Sequence, residues 1–272
     1  MPDGWVGKMW ALEQGWRHVR TPLTLLLDAD IDLQPGILAA LLAQRGVDDR
    51  QLLSLMAVLE MQSAWDKLLV PAFVYFFKLL YPFRVSNSPS RLVAAAAGGC
   101  VLVETAALER IGGFSALRGE LIDDCALARR VKATGGRTWI GMTHSVISRR
   151  RLGTLRASWR MVERSAFAQL RFSTPLLACC VALLVVAFWA APIGLLVGTA
   201  PARWAALVAV GAMIASYLPV LRFYGRSPAW ALALPLTGTL YLLMTLSSAM
   251  RAWRGVHANW KGRSYGAERR RT

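Results

Sequence analysis

Pro22-Leu23-Thr24-Leu25-Leu26-Leu27-Asp28-Ala29-Asp30-Ile31-Asp32-Leu33-Gln34-Pro35-Gly36 is the stretch on which the fold turns. A short run of Leu and Thr, Leu23 to Leu27, stops at an acidic pair, and Pro35-Gly36 closes the segment, as in a short buried strand. Alternation along a strand places Asp28 and Asp30 on one side as they leave the sheet. Two ionised carboxylates do not stay unpaired at such an edge. The residues alone leave two explanations open. A divalent cation carrying a diphosphate would satisfy both, because Mg²⁺ and Mn²⁺ take hard oxygen ligands and keep positions for phosphate. Alternatively, one aspartate caps the helix expected from about Pro35.

The surrounding sequence alternates strands and helices as far as residue 148. Gly7 to Gly15 is expected to be helical, 23–28 a strand, 36–45 a helix and 51–59 a strand. Leu92 to Val103, rich in Ala, Gly and Val, is expected to be a strand with little side-chain bulk. Ala106 to Ile111 is a short helix ending at Gly112-Gly113. Asp123 to Thr134 is a helix stopped by Gly135-Gly136, and Arg137 to Ile147 returns as a strand. The layout is α/β.

Composition divides the 272 residues. The hydrophobic fraction of 55% and mean hydropathy of +0.39 exceed those of an ordinary soluble protein. The excess lies in three nearly charge-free segments, about 175–199, 203–221 and 228–248, each near the length that crosses a bilayer. Much of the formal net charge of +16 flanks these segments, with Arg149, Arg150, Arg151, Arg156, Arg160, Arg164 and Arg171 before them and Arg251, Arg254, Lys261, Arg263, Arg269, Arg270 and Arg271 after them. That placement points to an anionic membrane surface and away from nucleic acid. Three crossings would put the two basic ends on opposite sides, against the positive-inside preference, so the number of crossings stays open at this stage. Trp65 to Arg84 is too short to span; its aromatics bracketed by Trp65, Lys67, Lys78 and Arg84 suit an interfacial helix, with a buried core helix as the alternative. Cys100, Cys125, Cys179 and Cys180 have no CxxC spacing, so neither a disulfide framework nor a zinc site is expected. Met1-Pro2-Asp3-Gly4-Trp5 lacks the pattern of a signal peptide.

A second acidic site is Asp123-Asp124, at the start of a helix. One carboxylate there has an ordinary role as cap and dipole partner. The second is free to face a cleft, where a group-transfer enzyme needs a base for the acceptor hydroxyl.

Taken together these motifs resemble those of the family 2 (GT-A) glycosyltransferases. Gly7-Lys8-Met9-Trp10-Ala11-Leu12-Glu13-Gln14-Gly15 is similar to the family's G-K-x-x-A-L-x-x-G segment, and Asp28-Ala29-Asp30 to its DxD. Gly98-Gly99-Cys100 with Gly112-Gly113-Phe114 resembles its acceptor-side stretch, and Asp123-Asp124 stands at its Glu-Asp pair. Ile122 to Leu127, Trp159-Arg160-Met161-Val162 and the three terminal apolar segments resemble the bacterial hopene-associated glycosyltransferases most.

The resemblance implies a GT-A (Rossmann-like) domain over 1–172 with an interfacial helix at 65–84, transmembrane helices over 173–250 and a basic juxtamembrane tail over 251–272. It implies Asp28 and Asp30 as metal ligands for Mg²⁺ or Mn²⁺, and Asp124 as base beside Asp123. Lys8, Gly98 and Gly99 would contact substrate, as would Trp260 and Arg263 of the tail. Arg164 would match the Arg of a (Q/R)xxRW motif, although Ser165 replaces its Trp and Met161 its Gln or Arg. That departure disfavours polymer elongation.

The implied partners are a nucleotide-sugar donor and a hopanoid-like lipid acceptor in the bilayer, at the cytoplasmic face of a bacterial inner membrane. Family members carry a longer βαβ region before the DxD, so the resemblance also implies an N-terminally truncated domain lacking its first strands. A membrane scaffold that keeps the motifs without catalysis is the alternative. A small transporter fits less well, because the apolar segments hold no acidic residue.

Overall fold

The computed structural model describes residues 1–255, 258–260 and 263–265, the last two stretches as backbone only. Two compact units divide the chain, one of Met1–Glu60 with Phe77–Arg151 and one of Met61–Phe76 with Leu152–Thr272.

The first unit is built on a five-stranded mixed sheet. Its strands are β1 (Leu23–Leu27), β2 (Ile31–Leu33), β3 (Leu52–Leu59), β4 (Cys100–Glu104) and β5 (Thr138–Ser148), in the spatial order β1-β4-β3-β5-β2. Only β3 and β5 pair in parallel; β1 with β4, β3 with β4 and β2 with β5 are antiparallel. Side chains alternate as the pleat requires. Val101 and Val103 face one layer with Met9, Leu108, Phe114 and Leu127, whereas Cys100 and Leu102 face the other with Ile37, Leu41 and Val146. Helices α1 (Gly7–Trp16), α5 (Thr105–Arg110) and α6 (Asp123–Ala133) cover the first face, and α2 (Ile37–Gly46) the second.

The expected strand over 92–103 is shorter than the composition suggested. Only Cys100–Glu104 joins the sheet, because side chains take up the backbone groups of the preceding residues. Lys132 Nζ donates to the carbonyls of Ser88, Ser90 and Val93 at 3.0, 2.8 and 2.8 Å. Ser86 Oγ accepts from Ala95 N at 2.9 Å, and Ser54 Oγ both accepts from Ala97 N and donates to Ala97 O. A backbone satisfied in this way has nothing left for a ladder. Strand β2 was not expected from the sequence; with three residues it shows no usable periodicity.

Helix α3 (Ala64–Leu80) ends before the expected Arg84, because Pro82 disfavours helix at Tyr81, and a separate turn, α4 (Phe83–Ser86), follows. Within the second unit the first part of α3 is packed rather than exposed. Tyr241 Oη donates to Leu69 O at 2.9 Å, and the Tyr75 and Ser216 hydroxyls lie 2.8 Å apart. Trp65 remains exposed. Asp66 forms a reciprocal cap with Ser63 and accepts the Gly153 N–H at 2.9 Å.

Helices α7 (Leu155–Glu163) and α8 (Ala166–Gln169) precede three long apolar helices. The first, Thr174–Val197, joins α9 (Thr174–Val185) to α10 (Ala191–Val197) through a π turn at Val186–Ala190. The second is α11 (Ala200–Phe223), and the third, Pro228–Trp253, ends in α12 (Leu234–Trp253). At 24, 24 and 26 residues all three are long and apolar enough to cross a membrane. Beyond them β6 (Ala258–Trp260) pairs antiparallel with β7 (Arg263–Tyr265).

Candidate active site

Strands β1 and β2 stand at opposite edges of the sheet although only Asp28, Ala29 and Asp30 separate them. The chain crosses over the sheet end in a tight turn, with Ile31 N donating to Asp28 O at 3.1 Å and Asp28 N to Gly99 O at 3.2 Å. Gly99 makes this passage possible. A Cβ there would stand 3.1 Å from Ile31 Cδ1 and 3.5 Å from Ala57 Cβ.

The turn ends the strand alternation, so the expectation that Asp28 and Asp30 leave the sheet on one side does not hold. Asp28 lines a cleft with Lys8, Gly98, Asp123 and Asp124, which Asp30 does not. The carbonyl of Asp30 accepts the Arg149 N–H at 2.7 Å, and its side chain is half-buried. Neither aspartate caps the next helix. Helix α2 starts after Gly36, whose φ of 87° sets the turn and which provides no side-chain cap.

Lys8 lies in the first turn of α1, a poor position for a cation because the helix dipole is positive there. Two carboxylates compensate. Lys8 Nζ is 3.0 Å from Asp28 Oδ1 and 3.1 Å from Asp123 Oδ2. Burial works against the ammonium's charge, but Asp123 and Asp28 outweigh it and hold the Lys8 pKa well above its ordinary value.

Asp123 and Asp124 occupy the first turn of α6, with Ile122 as N-cap and no side-chain cap bond, so the capping role expected of one of them is not used. Asp124 instead accepts two backbone donors, Gly98 N to Oδ2 at 2.9 Å and Cys125 N to Oδ1 at 2.7 Å. Burial, then the charge of Asp123, push its pKa up to about 6, against the opposing pull of the Cys125 N–H, Lys8 and the Gly98 N–H. A carboxyl tuned this way can exchange a proton near neutrality.

The structure therefore brings together Lys8, Asp28, Gly98, Gly99, Asp123 and Asp124 from regions more than a hundred residues apart in sequence. Phe114 and Leu117 complete the cleft wall; the Gly112-Gly113-Phe114 motif was the signal for them. Gly113 is tightly constrained, since a Cβ there would lie 2.5 Å from the Trp16 ring, which packs edge-on against Phe114. Ser54 and Lys132, which fix the approach to Gly98, carried no motif and were missed. Arg164 lies in the second unit, exposed at the C-cap of α7. The side chains of Trp260 and Arg263, and all of Lys261 and Gly262, lie outside the described residues.

Among the described residues no three His, Cys, Asp or Glu side chains converge into a metal cage. The donor chemistry still fits Mg²⁺ or Mn²⁺. Two carboxylates already face a common cationic group, the Lys8 ammonium, and such ions use one or two carboxylates and complete their shells with phosphate and water.

No protein of curated function matches the chain. Among solved structures, a mannosyltransferase from Pyrobaculum calidifontis in complex with GDP-Man and Mn²⁺ is similar at 20% identity and a TM-score of 0.47. The alignment covers 88% of this chain, which spans 66% of the length of that one. The sequence profile that matches is not the family 2 profile that the motifs resemble but that of a distinct glycosyltransferase family. Because that profile extends over residues 3–271, almost the whole chain, the protein belongs to glycosyl transferase family 21.

Proposed function

We propose that this chain transfers a sugar from a nucleotide-diphosphate donor to the hydroxyl of a lipid acceptor, with Asp124 as general base. The observation that carries this reading is the state of Asp124, held by two backbone N–H groups, raised to about 6 and lining the same cleft as Asp28 and Lys8. A base so tuned is ionised in a useful fraction near neutral pH and still basic enough to take a hydroxyl proton as the donor bond breaks. Asp123, paired with Lys8, stands beside it.

Asp28 and Asp30 would hold Mg²⁺ or Mn²⁺, with Asp28 the member already aimed at a cation. Bound there, the metal would offset the charge of the departing diphosphate. Lys8 would contact that diphosphate, and the bare backbone of Gly98 and Gly99 would let substrate approach closely. Arg164, Trp260 and Arg263 would assist donor or acceptor from the membrane-associated part.

Three apolar helices support a membrane location, and the arginines of α7 support contact with anionic lipid. Arg156 and Arg160 are exposed one turn apart, while Ser158 and Val162 are buried. The proposed setting is the cytoplasmic face of a bacterial inner membrane, with a hopanoid-like acceptor. The test is transfer of labelled sugar by the full chain in nanodiscs containing a hopanoid alcohol. Metal-dependent transfer that Asp124→Asn lowers by about a hundredfold or more is the expected result. Binding of neither metal nor nucleotide sugar would leave the non-catalytic scaffold.

A further inference from the structure

We propose that Lys8 is a displaceable counter-ion, whose ammonium, held between Asp28 and Asp123, occupies the cation-binding side of Asp28 and is expelled from it when Asp28 and Asp30 take a divalent cation. The inference rests on the metal–diphosphate reading of the site and concerns how the site is kept assembled before substrate arrives.

The geometry puts the two cations in competition for one carboxylate. Carboxylate oxygens from β1's end and from α6 lie 3.0 and 3.1 Å from Lys8 Nζ. A metal ion bonding the Asp28 carboxylate would sit about 2.1 Å from its oxygen, in competition with the ammonium for that carboxylate. Two positive charges cannot share that place, since at such separations their repulsion rivals either attraction. Without a cation, Asp28, Asp123 and the carboxyl of Asp124 would repel one another across a narrow cleft. Lys8 removes that repulsion and ties the β1 end to the α6 start through one side chain.

Three features favour release over permanent pairing. Lys8 lies in the first turn of α1, where the helix dipole disfavours a cation. Its side chain is 27% exposed, so the residue is not sealed in the core. Lysine is also a point charge on a flexible stem, able to follow a diphosphate that arrives with the metal. Gly98 is fitted to the closed arrangement, since a Cβ there would approach Lys8 Nζ to 3.1 Å.

Full-length protein in detergent would be titrated with Mn²⁺ and followed by electron paramagnetic resonance, with inorganic pyrophosphate absent and then present. Lys8→Met is expected to bind Mn²⁺ about tenfold more tightly than wild type when pyrophosphate is absent, because no ammonium has to leave. It is also expected to gain less from added pyrophosphate. Removal of a charge acting at a distance could mimic the first result, so unmodified protein supplies a second measurement. The acetylation rate of Lys8, followed by mass spectrometry, should be slow in the apo protein, rise several-fold with Mg²⁺ and fall again when pyrophosphate is added. Mn²⁺ binding with an unchanged Lys8 acetylation rate would overturn the counter-ion role and leave the metal site standing. Failure of both proteins to bind Mn²⁺, with or without pyrophosphate, would overturn the metal site and the inference together.

Discussion

The backbone N–H of Gly98 donates to Asp124 Oδ2 at 2.9 Å, and a Cβ at Gly98 would lie 3.4 Å from that same oxygen. One residue thus provides a hydrogen bond to the Asp124 carboxyl and the clearance around it. Gly98→Ala adds a methyl group that must push either Asp124 or Lys8 aside. The substitution should lower kcat about tenfold, the scale expected of a small misplacement of a catalytic group, with little loss of thermal stability. Steady-state kinetics beside a melting curve would separate the two effects.

The pH dependence follows from the state of Asp124. Its carboxyl is raised to about 6, so the ionised form that accepts a proton is scarce well below that value and dominant above it. The rate should therefore rise with pH through about 6 and level off toward neutrality. Asp124→Asn should lose the base and fall about 10²- to 10⁴-fold in kcat, with the acidic limb gone from what activity remains. A flat wild-type profile between pH 5 and 7 would count against Asp124, and those two limits are set about one unit either side of the base.

Lys132 offers a test of the fold rather than the chemistry. The residue is 3% exposed, and its ammonium donates to three carbonyls of the segment leading to Gly98. Lys132→Met keeps the stem and leaves those carbonyls unsatisfied, which should cost about 2 kcal/mol. Chemical denaturation of the variant would measure it. A secondary fall in activity is expected, because the segment positions Gly98.

Acid should loosen the start of α3. The Asp66 carboxyl is penalised by burial, but the backbone and hydroxyl donors of Ser63, with the N–H groups of Gly153 and Gln62, outweigh this and hold its pKa below the ordinary value. A carboxylate depressed in the fold lends stability above its unfolded pKa, and that stability is lost as pH falls through the folded value. Asp66→Asn should remove this part of the acid sensitivity and lower stability at neutral pH, as read by pH-dependent thermal melts.

Much of this was legible in the sequence, for reasons specific to each element. Leu23–Leu27 and Asp123–Ala133 are long or strongly patterned enough to declare themselves, and each ends in residues that stop it. The stretch before Cys100 has strand composition, but its carbonyls and amides are captured by Lys132, Ser86 and Ser54, partners 9 to 44 residues away along the chain. Local pattern cannot register that capture. The acidic residues were recognisable by motif, yet their arrangement was not. Strand periodicity was extended one step too far, to Asp30, because the turn after Asp28 is imposed by a crossover to the far edge of the sheet. The pairing of Lys8 with both Asp28 and Asp123 joins three positions that share no spacing rule.

That crossover has a mechanical meaning. A three-residue clasp over Gly99 fastens the two margins of the sheet, so tension at Asp28 is felt at both. Any ligand gripping the clasp would stiffen the whole sheet, and its binding free energy would appear as resistance to unfolding far from where it sits.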